Sequence, residues 1–199
     1  MRSLAIPAIV AAVLISMPAA LLAQAPEPPA PPAPESAAPA QTDLDSLFSE
    51  LKSAPSAEAA KAAEAAILRR FLISGSDTVD LLMTWAIDSM NKEDYPLALD
   101  ILDNIVMMKP DYAEGWNKRA TVYYLADEYG KSLADIRRVL SLQPKHFGAL
   151  SGLGMIMREL GEKEKAKMAF REALAIDPYL DNVKKVLDEL EKETAGQAI

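Results

Sequence analysis

Ser89, Met90, Asn91 and Lys92 have the Ser-x-x-Lys spacing that places a lysine beside a nucleophilic serine. That chemistry also needs a Ser-Asp-Asn and a Lys-Thr-Gly motif, and neither follows in the chain. Gly152-Leu153-Gly154 is a fragment of the glycine fingerprint that cradles a pyrophosphate, but no strand-to-helix crossover pattern surrounds it. His146 is the one histidine, and there is no cysteine. A structural zinc site takes about four His, Cys or carboxylate ligands, so no metal is expected. Two residues after Pro144, His146 reads as a turn-stabilising residue rather than a ligand or general base. The acidic pairs Asp43/Asp45 and Glu162/Glu164 have the makings of acid–base chemistry, yet on helix surfaces such pairs are solvated charge. The sequence thus offers no catalytic residues, no cofactor site and no metal set, and an enzyme is not expected.

The elements that carry these residues follow a fixed period. Pro110, Pro144 and Pro178 stand 34 residues apart, and each closes a similar hydrophobic pattern. Every unit reads as an amphipathic helix, a turn and a second helix stopped by the proline. Small residues recur at the eighth place (Ala86, Ala120, Gly154) and twelve residues on (Ala98, Ser132, Ala166). Two antiparallel helices approach closely only at such positions. Leu82, Trp116 and Leu150 fill the space beside them in the first helices, and Leu102, Ile136 and Phe170 in the second. The turns carry Glu93-Asp94, Asp127-Glu128 and Gly161-Glu162, and acidic residues suit the positive end of the helix that follows. Pro96 falls in a first turn, where its missing N–H costs nothing. The fold class expected is all-α: a right-handed α-solenoid of three helix pairs over 79–112, 113–146 and 147–180.

On these residues the chain resembles the tetratricopeptide repeat family, in unbroken register from Val79 to Pro178. It departs from the family pattern at Trp85 and Arg119, where leucine is usual, and at Ser132, where alanine is. The stretches EGWNKRATVYYL and SLADIRRVLSLQPKHFGALSGLGMI are similar to an exported bacterial subgroup, which fixes no function. The resemblance implies a non-catalytic module that binds a protein or peptide, in part hydrophobic, in a concave groove lined by the first helices. The groove places then fall on Met83, Ile87, Met90, Asn117, Lys118, Thr121, Tyr124, Leu125, Ser151, Met155 and Arg158. Methionine adapts to irregular shapes, which suits a loosely specified apolar partner. Family members that grip a terminal carboxylate use paired lysines, an arginine and asparagines. Asn117, Lys118 and Arg158 cover only part of that set.

The flanks read differently. Residues 1–23 hold one charge, Arg2, before an apolar run, the layout of a secretory signal peptide with a cleavage site at Leu21-Leu22-Ala23. The alternative is an uncleaved N-terminal membrane anchor, since about 20 apolar residues span a bilayer. The expected location is periplasmic or secreted; an anchored chain would face the periplasm from the inner membrane. Without cysteine no disulfide can staple the domain there. Residues 24–42 form a proline–alanine tract that cannot build a core and reads as a disordered, extended spacer. A helical hairpin is expected over 43–75, with Leu44, Leu47, Phe48 and Leu51 on one stripe and Ser56 as a cap. Its first helix could also fold into the short groove and fill it. A C-terminal capping helix is expected over 181–193, since repeat arrays need atypical ends. The chain's net charge is −8, and loss of 1–23 would remove one more positive charge, so nucleic acid is excluded as a partner class. The rival functional class is a self-associating structural scaffold of the cell envelope.

Overall fold

A computed structural model describes residues 38–196, with side chains over 43–193. Among these residues there are nine helices and no strand: α1 Ala38–Lys52, α2 Ala57–Phe71, α3 Asp77–Asn91, α4 Tyr95–Met108, α5 Ala113–Leu125, α6 Tyr129–Leu142, α7 Phe147–Glu159, α8 Lys163–Ile176 and α9 Asp181–Gly196. The segment read as a leader, 1–23, and most of the proline–alanine tract lie outside the described residues. Helix α1 starts at Ala38, five residues before the position expected from its apolar stripe. Among the described residues no helix is long and apolar enough to cross a membrane.

The 34-residue period is visible in the backbone. Each helix pair turns through one left-handed residue, Glu93 (φ 59°), Asp127 (φ 57°) and Gly161 (φ 77°), at the same place in each unit. The next backbone N–H reaches back five residues, from Asp94 to Ser89, Glu128 to Tyr123 and Glu162 to Met157, which closes the helix in a Schellman turn. Asp94 then caps α4 by accepting the Leu97 N–H. Ahead of the prolines, Lys109, Gln143 and Asp177 leave the helical region, with ψ of 76°, 86° and 97°. That is the clash of a proline ring with the preceding residue, at all three unit ends.

The pairs α3/α4, α5/α6 and α7/α8 cross where the small residues lie. Ala86, Ala98, Ala120, Ser132 and Ala166 are all buried. Ser132 stands in an apolar crossing because its hydroxyl donates to the Ala120 carbonyl at 2.7 Å, so no polar group is left unsatisfied. Helix α9 closes the last pair, with Leu187 and Leu190 in one cluster with Ala166 and Phe170.

The leading hairpin does not fold into the groove. Its core residues Phe48, Leu51, Ile67 and Phe71 cluster with Phe147, and Ile176, Tyr179 and Leu180 pack against them. Tyr112 donates its hydroxyl to the Leu72 carbonyl at 2.9 Å. Tyr112, His146 and Leu180 each end a 34-residue unit, so α1 and α2 rest along the row of inter-repeat turns. Lys145 bonds Asp45 at 2.8 Å on the same edge.

Candidate functional site

The expected groove residues lie on α3, α5 and α7, and they do not share one fate. Thr121 and Leu125 are exposed, Leu125 by 47 %. Ile87, Met90, Asn117, Lys118, Tyr124, Ser151, Met155 and Arg158 are half-buried. Met83 needs correction as a groove-floor residue: at 2 % exposure it is core, clustered with Val79, Ala86 and Tyr112, with Leu72 packed against them. The chain segments on either side of the first pair close over it, and a long flexible apolar side chain fills the gap. Met155 leans on the Phe170–Leu187–Leu190 cluster, so the capping helix draws on it.

Polar groups in the set are largely committed within the chain. The Thr121 hydroxyl donates to the Asn117 carbonyl, and that of Ser151 to the Phe147 carbonyl. Arg158 pairs with Glu159 at 3.0 Å. Tyr124 lies 5.8 Å from Tyr129, ring to ring. What stays accessible toward the C-terminal ends of α3 and α5 is a run of apolar and hydroxyl groups: Ile87, Met90, Thr121, Tyr124 and Leu125.

At the other end of α5 sits a buried polar cluster that sequence reasoning did not assemble. Glu114 is 5 % exposed and accepts from Lys118 Nζ at 3.0 Å and from Asn117 Nδ2 at 3.2 Å. His146 Nε2 stands 2.9 Å from its second oxygen. The Nδ1 of the same ring accepts the Ala149 backbone N–H at 3.1 Å, which makes His146 the N-cap of α7. Since a backbone N–H can only donate, Nδ1 is bare and the ring proton sits on Nε2, aimed at Glu114. The imidazole also stacks on Phe71 of the hairpin, centroids 4.4 Å apart at 10°. Burial pushes the Glu114 carboxyl up, but the His146 hydrogen bond and the Lys118 charge outweigh it and hold the group below its ordinary range. Lys118 is therefore neutralised inside the chain, which weakens it as a cradle for a ligand carboxylate. The signal available in the sequence was the acidic residue at the start of α5, one 32-residue step from the lone histidine.

A second ion cluster sits away from the groove residues. Arg119 grips Asp135 through two hydrogen bonds of 2.7 and 2.8 Å and reaches Asp103 at 2.8 Å. Its guanidinium lies 4.8 Å from the Trp116 ring centre. Hydrogen bonding to Asp135 raises the arginine's affinity for its proton and outweighs the opposing effect of burial. The cluster ties α4, α5 and α6 together, and each of its charges is answered. Among the described residues no three His, Cys, Asp or Glu converge on a point where a metal ion would sit.

Comparison with known proteins agrees with this architecture. A tetratricopeptide repeat family model matches residues 148–179. A TPR repeat-containing protein of Rhizobium etli is 41% identical over 123 residues, 62% of this chain, and the chain spans 60% of that protein's length. The first TPR of Spaghetti (RPAP3) bound to an HSP90 peptide superposes with a TM-score of 0.56 at 18% identity, covering 59% of this chain and 93% of that one. The TPR2B domain of yeast Sti1, in complex with an Hsp70 peptide, gives 0.54 at 18% identity, over 61% of this chain and 99% of that one. At such identities the likeness to the solved structures is one of fold.

Proposed function

The chain is built of tetratricopeptide repeats, and from that premise we propose a non-catalytic adaptor that holds a protein or peptide segment against the first helices of its repeats. The observation that carries this reading is the accessible stripe of Ile87, Met90, Thr121, Tyr124 and Leu125. The hairpin rests on the turn ends of the same helices; Tyr112, the N-cap of α5 that bonds Leu72, stands roughly 20 Å along α5 from Leu125 at about 1.5 Å per residue. Solved neighbours that hold HSP90 and Hsp70 peptides support a peptide or helix as the occupant. With Lys118 tied to Glu114 and Arg158 to Glu159, recognition here rests on apolar side chains rather than on a terminal carboxylate. We place the adaptor in the bacterial periplasm, or secreted, on the apolar run of residues 1–23, with retention as an inner-membrane anchor the other fate of that segment.

The test is a crosslinked pull-down from an envelope extract, with the wild type beside Thr121→Glu/Leu125→Glu. Both positions are exposed, so the variant keeps its helicity. A protein captured by the wild type and lost from the variant bears out the groove reading. Equal capture by both sinks it.

A further inference from the structure

The third and seventh places of each unit face the unit before it. In the second unit these are Gly115 and Arg119. A methyl group on Gly115 would come 2.8 Å from Ile105 Cγ2 of α4, and Arg119 bonds Asp103 of α4. In the third unit they are Ala149 and Leu153. Ala149 is buried with Ile136 and Val139 of α6, and Leu153 packs against that cluster. The first unit carries Leu81 and Trp85 at these places, 50 % and 52 % exposed. Those side chains are shaped for an inter-repeat contact, and the hairpin does not supply it, because its core faces the inter-repeat turns.

Charge on the same stripe of α3 indicates what fits. Asp77, Leu81, Trp85, Asp88 and Lys92 follow one another at helical spacing, with Asp77 at the N-terminal end, Lys92 at the C-terminal end and Asp88 one turn before it. The midpoint between Asp77 and Lys92 falls at Thr84/Trp85. A second α3 laid antiparallel about that midpoint sets Asp77 against the partner's Lys92 and Leu81 against the partner's Asp88, each twice over, and opposes the two helix dipoles. Lys92 is held meanwhile by Asp88 at 2.6 Å, an exposed pair that can exchange partners at little cost. Head-to-tail stacking is closed off by α9, which covers the last pair and bonds Arg171 through Glu191. We propose that the exposed α3 face is a two-fold interface between two copies of this chain, centred on Trp85. Such a contact is isologous and closes at a dimer. It is independent of the groove reading, since α3 would present Leu81 and Trp85 while α5 keeps Thr121 and Leu125.

Sedimentation velocity of the full chain over a concentration series reads the association directly. The wild type is expected to pass from monomer to dimer. Trp85→Glu should weaken the dimer by at least about tenfold at unchanged far-UV circular dichroism, as befits a central tryptophan. Leu125→Glu should leave it intact. Because the chain has no cysteine, oxidising a mixture of Asp77→Cys and Lys92→Cys chains should give a disulfide dimer that neither chain forms alone. A wild type that stays monomeric overturns the proposal, and the face then belongs to another partner. Equal association of wild type and Trp85→Glu also overturns it, and would assign assembly to the apolar run of residues 1–23 or to another surface.

Discussion

His146 Nε2 lies 2.9 Å from Glu114 Oε2 across 32 residues of chain, while Nδ1 of the same ring caps α7 and its face stacks on Phe71 of α2. One side chain thus ties two adjacent repeats to the leading hairpin, and it does so at the position that ends a unit.

Removal of that ring should be felt in all three places. His146→Ala leaves a buried carboxylate short of one donor and α7 without its cap, a loss of about 2–4 kcal/mol in urea unfolding. His146→Asn keeps a capping oxygen and should recover about 1 kcal/mol of it. Both variants should also open the α1–α2 hairpin to protease before the repeats. Hairpin protection equal to that of the wild type would show that the Phe71 stack contributes nothing.

The same pair sets an acid limit. Glu114 titrates below its ordinary value of 4.5 when folded, so it adds stability that is fully present above that value. The contribution is lost as pH falls through the lower folded value. Urea midpoints of wild type and Glu114→Gln, measured from pH 7 to pH 3, should therefore differ at neutral pH and converge below about pH 4.5. A constant gap across that window would mean that the carboxylate's charge is not what the cluster stabilises.

Arg119 and Asp135 occupy places that hold Trp85 with Ile101 in the first unit and Leu153 with Ala169 in the third. Arg119→Leu alone strands Asp135, which is 4 % exposed, and should cost about 3–5 kcal/mol. Arg119→Leu/Asp135→Ala restores the third unit's apolar pair and should be close to wild type or more stable, since a buried ion pair is often no better than well-packed apolar groups. Thermal melts of the singles and the double decide it, and additive losses would refute the swap.

How far the sequence was legible follows from the range of each interaction. Helix pairs, the left-handed turns at Glu93, Asp127 and Gly161, and the break before each proline are local or periodic, so a 34-residue register exposes them. Departures from the register could be located but not interpreted. Arg119 stood out as an odd residue, yet its partners Asp103 and Asp135 sit on two other helices. The hairpin's two helices were legible from the Leu44–Leu51 stripe and the Ser56 cap, but its docking was not, because it follows no repeat and its contacts, Phe71 on His146 and Lys145 on Asp45, span 75 and 100 residues. Met83 shows the same limit within the register. Its place holds the half-buried Asn117 and Ser151 in the second and third units, and the packing of Leu72 and Tyr112 around the first pair makes it core.

The crossing of α7 and α8 is where periodicity makes the sharpest mutational forecast. Ala86 faces Leu102 and Ala120 faces Ile136 in the register, whereas Gly154 faces Phe170. A methyl group on Gly154 would clash with the Cδ1–Cε1–Cζ edge of the Phe170 ring, which is fully buried. Gly154→Ala should therefore destabilise by about 1–3 kcal/mol through overpacking, although alanine is the better helix former by about 1 kcal/mol. Phe170→Ile alone should leave a cavity and cost about 1–3 kcal/mol. Joined, the two substitutions copy the Ala120–Ile136 pair and should recover most of both losses, because residues in contact do not add. Urea unfolding of all four chains measures the coupling. A double variant as weak as the sum of its parts would mean that the third unit has repacked around its glycine in a way that the second unit's pair cannot replace.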